Sequence, residues 1–97
     1  MAVLITAAQE EKGDELAGKL AALAKDFLKE SGMKAAVIGP AKASIGKIND
    51  IYRFVFYCKS FNYRQLTAVK DKIEQYILPF ALKEENVQFD FNPMDSY

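Results

Sequence analysis

Ninety-seven residues, 51% hydrophobic and 27% charged, fit one globular domain and leave no room for two. Thirteen basic and thirteen acidic residues cancel, so net charge selects no partner, and the lack of histidine removes the commonest general base, most zinc sites and every Ser-His or Cys-His pairing. A single cysteine, Cys58, cannot staple a monomer and points to a reducing cytosol; no run approaches the ~18 apolar residues of a membrane helix, and Met1 to Ala8 lacks the basic leader of a signal peptide.

Val3 to Ala8 reads as a first strand, followed by a polar turn at Gln9 to Asp14 in which Asp14 has the chemistry of a helix N-cap. Leu16, Leu20, Leu23, Phe27 and Leu28 then form one stripe of an amphipathic helix, stopped by Ser31-Gly32. Lys34 to Gly39 predicts a second strand closed by Gly39-Pro40. Ala41 to Asp50 reads as a long loop or arm, with strand character near Ile45 to Ile48. Ile51 to Ser60 is the strongest strand: Tyr52, Phe54, Phe56 and Cys58 point one way, and Ile51, Arg53, Val55, Tyr57 and Lys59 the other.

Ser60 or Asn62 caps a second helix with the stripe Leu66, Val69, Ile73, Tyr76 and Ile77, ended by Pro79. Val87 to Phe91 alternates as a fourth strand, terminated by Asn92-Pro93. The order β-α-β-β-α-β predicts an α+β fold of the ferredoxin-like kind, an antiparallel sheet with both helices on one face. Its second face, carrying Arg53, Val55, Tyr57 and Lys59, is then open for a ligand.

Catalytic signals are absent. The glycines near lysines, Gly39 and Gly46, lack phosphate-loop spacing. The acidic pairs Glu10-Glu11, Asp14-Glu15 and Glu84-Glu85 fall at polar turns or helix starts, where solvated acids are ordinary. This chain is therefore expected to be no enzyme and to hold no metal or cofactor.

Charge is unevenly spread. Residues 34–72 carry eight bases against two acids, a net of +6, and the remainder carries −6. The basic centre is interleaved with Tyr52, Tyr57 and Tyr63, the composition that a phosphate backbone with stacked bases calls for; a clustered but merely solvated surface is the other reading. Phe54-Val55-Phe56-Tyr57 also matches the end of the RNA-recognition signature, although Asp50-Ile51-Tyr52-Arg53 lacks its glycines and basic start.

Val37-Ile38-Gly39-Pro40-Ala41-Lys42-Ala43-Ser44-Ile45-Gly46-Lys47-Ile48, then Ile51-Tyr52-Arg53 and a strand closing in Lys59-Ser60, resembles the C-terminal domain of the PriA family of bacterial replication-restart helicases. Val87-Gln88-Phe89-Asp90-Phe91-Asn92-Pro93 is similar to that family's ending, with Asn92 where a second Asp is usual. The specific residues lie in 37–60 and 87–93; element order extends the likeness over the whole chain.

The resemblance implies a fragment of a bacterial cytoplasmic superfamily-2 helicase that moves 3′ to 5′ on DNA, recognises stalled forks and directs primosome assembly. ATP with magnesium, and zinc, would belong to parent domains ahead of this one, and Met1-Ala2 is expected to be an added start. It implies a fold like a small-subunit ribosomal protein. Its partners would be single-stranded or branched DNA, the helicase core, single-stranded DNA-binding protein and other primosome proteins, with no membrane partner and a monomeric state. Lys47 and Arg53 are the charged members of the matched pattern; Lys42, Tyr57, Lys59 and Arg64 join them as DNA-binding candidates. Gly39, Pro40, Ile45, Asp90 and Pro93 are structural candidates, and Asp90 is an alternative ion-pair partner for Arg53. Two other readings stay open: a protein-interaction domain that meets helicase lobes or the acidic tail of single-stranded DNA-binding protein, and an unrelated RNA-recognition-like or small regulatory α+β domain.

Overall fold

Alternation in the first strand, β1 (Ala2–Ala7), sends Val3, Ile5 and Ala7 to one side and Ala2, Leu4 and Thr6 to the other. The computed structural model describes residues 1–32, 35–48, 51–60, 62–80, 82 and 84–91, with backbone alone for 43–48. Strands β2 (Ala35–Ile48), β3 (Ile51–Ser60) and β4 (Glu85–Asp90) join β1 in one antiparallel sheet, ordered β2-β3-β1-β4. Helices α1 (Glu10–Glu30) and α2 (Tyr63–Ile77) pack on the face that carries Val3, Ile5, Phe54, Phe56 and Cys58. The α+β architecture and element order expected from the sequence are therefore those of the protein.

Met1 and Ala2 take part in this sheet. The Met1 ammonium donates to the Cys58 carbonyl at 2.8 Å, the Cys58 N–H donates to the Met1 carbonyl at 2.8 Å, and both residues are buried.

Helix α1 starts four residues ahead of the expected Asp14 cap. Gln9 is the N-cap, without a side-chain hydrogen bond, and Gly13 lies inside the first turns. Its carbonyl-bonded N–H reaches Gln9 at 3.1 Å. The buried stripe is also shifted: Ala17, Ala21 and Ala24 line its centre with Leu20 and Leu28, and Leu16, Leu23 and Phe27 are only partly buried at its sides. Alanine lets the helix backbone lie close to the sheet, and the larger side chains reach around it. The stop is as expected, with Ser31 N–H bonded to the Phe27 carbonyl and Gly32 at φ 70°.

Gly39-Pro40 bends the second strand without ending it. Pairing moves from Ile38↔Tyr57 to Ala41↔Val55, an insertion of one residue on β2, and a further shift between Lys42 and Lys47 absorbs three more. Gly39 sits at φ 99°, and a Cβ there would lie 3.1 Å from the Val55 carbonyl oxygen. Glycine permits both the backbone angle and the close approach. The expected loop over 41–50 is thus strand as far as Ile48, because a bulged ladder hides the two-residue alternation that marks a strand.

Asn62 caps α2 by accepting the Arg64 N–H at 2.9 Å, and Ser60 supports it by accepting the Asn62 N–H at 3.0 Å. Leu66, Val69 and Ile73 are buried as their spacing predicts. Tyr76 is instead exposed and packs tilted against Phe80, with ring centroids 5.3 Å apart, where a 3-10 turn (Leu78–Phe80) containing Pro79 follows the helix. Among the described residues, no helix is long and apolar enough to cross a membrane.

Candidate nucleic-acid interface

The face of the sheet away from the helices is built by register. Arg53 stands opposite Thr6, Val55 opposite Leu4, and Tyr57 between Ile38 and Ala2. Asn86, Gln88 and Asp90 complete the three rows on β4. Lys59 extends the face beyond them. Arg53, Tyr57 and Lys59 thus run along a single strand with a cation toward each end. Six residues at ~3.3 Å each separate the cations by about 20 Å.

The centre of this face is apolar. Ala2, Leu4 and Val55 are 1%, 8% and 5% exposed although no helix covers them, and Tyr57 packs against the three. Beside it, Ile38 is 48% exposed. The sequence marked Val55 and Tyr57 on this face but missed Ala2, Leu4 and Ile38. Their signal was the two-residue alternation of β1 and of the start of β2.

The other candidates are dispersed. Lys42 opposes Phe54 after the bulge, so it projects on the helix side, where its ammonium meets the Glu10 carboxylate at 3.2 Å. Arg64 is exposed in the first turn of α2, in the helix layer. Arg53 and Asp90 are also apart: one opposes Thr6 and the other Ala2, four positions along β1, or about 13 Å, and on opposite neighbours of that strand. A direct ion pair between them is out of reach. The side chains of Lys47 and Ile45, and the whole of Pro93, lie outside the described residues.

The four residues of the partial RNA-recognition signature divide between the two faces. Phe54 and Phe56 are 2% and 0% exposed, packed in the core beneath the helices, whereas Val55 and Tyr57 lie on the helix-free face.

The acidic pairs are surface groups. Glu10 meets Lys42, and Glu15 meets Lys19 at 2.9 Å, a hydrogen-bonded contact that raises the lysine pKa. Cys58 is fully buried, and burial pushes its thiol up to about 11, the reverse of nucleophile activation. Among the described residues, no group of three or more His, Cys, Asp or Glu side chains is placed to hold a metal ion.

One buried polar side chain had escaped notice. Gln65 donates from Nε2 to Ser31 Oγ at 2.9 Å and accepts from Ser60 Oγ at 2.6 Å, while Ser31 Oγ donates to the Leu28 carbonyl at 2.7 Å. It ties the end of α1 to the end of β3, and its spacing with Val69 and Ile73 was the available signal.

A second exposed surface lies at the far end of α2. Leu78 and Phe80 are 78% and 59% exposed, next to an open cavity of about 180 Å³ lined by Leu16, Leu82, Tyr76, Lys12 and Glu85 among others. Compared with known proteins, the chain matches no family model and no curated relative.

Proposed function

We propose that this chain is a non-catalytic DNA-binding and docking module of a PriA-type replication-restart helicase. The observation that carries the DNA-binding part is the line Arg53, Tyr57 and Lys59 along β3 on the helix-free face. Two cations flanking an aromatic give phosphate attraction and a π surface without sequence reading. The resemblance in 37–60 and 87–93 supplies the parent class, and with it bacterial cytoplasm and fork DNA as the setting.

Fluorescence anisotropy with labelled single-stranded and branched DNA at low salt tests this. The wild-type chain is expected to bind weakly and with a negative salt slope, and Arg53→Gln with Lys59→Gln to reduce that slope by about two. Absence of binding to either DNA at low salt, or unchanged binding by the double variant, refutes the DNA-binding role.

Exposed Leu78 and Phe80 favour the docking part, with the helicase lobes of the parent as the occupant. Helicase lobes supplied in trans should bind the wild-type chain and release a Leu78→Ser, Phe80→Ser variant. Equal binding by both rejects this surface.

A further inference from the structure

Resting on the nucleic-acid reading of the β3 face, we propose that this face selects single-stranded nucleic acid over duplex, by stacking one base on Tyr57. Three features of the face lead there. Its centre is apolar: Ala2, Leu4 and Val55 are buried, and the apolar surface offered is the partly buried Tyr57 that packs on them, with Ile38 exposed beside it. A duplex presents phosphates and sugars outside its grooves and has nothing apolar to lay on such a patch, whereas an unpaired base has a free π face.

Width is the second feature. Four strands at ~4.8 Å spacing make a platform about 15 Å across, wider than the ~12 Å major groove, which admits a helix or a two-stranded ribbon. Base edges inside a duplex are therefore beyond this face.

The third is the division of charge. Arg53 and Lys59 lie on β3, on either side of Tyr57, and the exposed amides Asn86 and Gln88 lie on β4. Phosphates held along β3 leave the bases over Tyr57 and toward β1 and β4. The row through Tyr57 and Ala2 ends on Asp90; Gln88 and Asn86 stand in the next two rows toward Arg53, where their amides offer both donors and acceptors to a base edge. Phosphates and base faces are common to DNA and RNA, so the shared chemistry of their single strands is the ligand.

Competition measurements on the intact chain test the assignment. Labelled oligo-dT of about twelve nucleotides is bound at low salt and displaced by unlabelled oligo-dT, oligo-rU or a blunt duplex of equal length. Oligo-dT is expected to displace the probe at least ~10-fold better than the duplex. Oligo-rU equal to oligo-dT supports stacking with either sugar; oligo-rU weaker supports stacking with DNA as the natural strand. Tyr57→Phe should retain affinity. Tyr57→Leu, which keeps the apolar packing, should lose roughly 5- to 100-fold with the salt slope unchanged. Binding of oligo-dT with equal competition by the duplex, or with Tyr57→Leu as tight as wild type, overturns the stacking assignment and leaves an electrostatic DNA-binding face. Failure to bind any of the three overturns both.

Discussion

Gly13 and the ring of Phe54 meet across the α1–sheet interface: a Cβ at Gly13 would lie 2.6 Å from Cε2 of Phe54 and 3.0 Å from the Ala7 Cβ. Glycine inside a helix costs about 1 kcal/mol relative to alanine, so the position is held against helix propensity. Gly13→Ala is expected to lower unfolding free energy by about 1–2 kcal/mol, because overpacking against a buried ring outweighs the propensity gain. Gly18, with nothing within 4 Å, gives the opposite sign: Gly18→Ala should gain about 0.5–1 kcal/mol. Urea midpoints at constant m-value decide it, and shifts of the same sign in both variants contradict the packing account.

Removing Gln65 takes one hydrogen bond from each of two serine hydroxyls, which keep their backbone partners at Leu28 and Asn62. Gln65→Ala should cost about 1–3 kcal/mol. Ser31→Ala combined with Gln65→Ala should be less harmful than the sum of the single changes, since the two share one hydrogen bond. A strictly additive double-mutant cycle would show that the Gln65–Ser31 contact between α2 and the end of α1 carries no energy.

Alkaline pH should loosen the fold through Cys58. Its thiol ionises near 9.0 when unfolded and near 11 when folded, so the unfolded state loses a proton first. Stability is unaffected by this group below about pH 9. It should fall by about 2–3 kcal/mol between pH 9 and 11, where the unfolded chain binds one proton fewer. Cys58→Ala removes that component, so its stability profile in this window should be flatter than wild type by the same amount; parallel profiles would contradict the assignment.

Cations on the two faces of the sheet should separate in a salt titration. Lys42→Gln changes a pair with Glu10 on the helix side and should leave the salt slope of DNA binding as in wild type. Arg53→Gln should reduce it by about one. Equal effects of the two variants would mean that DNA follows the edge of the domain rather than β3.

Much of the fold was legible because its helices and β3 obey their periods. Tyr52, Phe54, Phe56 and Cys58 could be placed on one face from alternation alone, and Leu66, Val69 and Ile73 from helical spacing. Reading failed where geometry departs from period. In β2 the single extra residue between Ile38 and Ala41 reverses the face of Lys42, and three more between Lys42 and Lys47 look like loop composition. In α1 the leucine stripe does face the core, but its deepest positions in a closely packed helix also include Ala17, Ala21 and Ala24, which hydrophobic size does not mark. At the site, the charged and aromatic members of β3 were readable, but the small residues beneath Tyr57 come from another strand and become neighbours only through register.

The placing of β1 between β3 and β4 bears on how the chain acquires its shape. In chain order β1 precedes both of its neighbours, β3 and β4, so Ala2 meets Tyr57 on one side and Asp90 on the other. At roughly 5–20 residues per second, synthesis leaves one edge of β1 without its partner for several seconds after it emerges. Pairing over such long sequence separations also folds slowly. Until β4 arrives, that apolar edge is a ready template for another nascent chain, and a cell making this protein must keep it covered or kept apart.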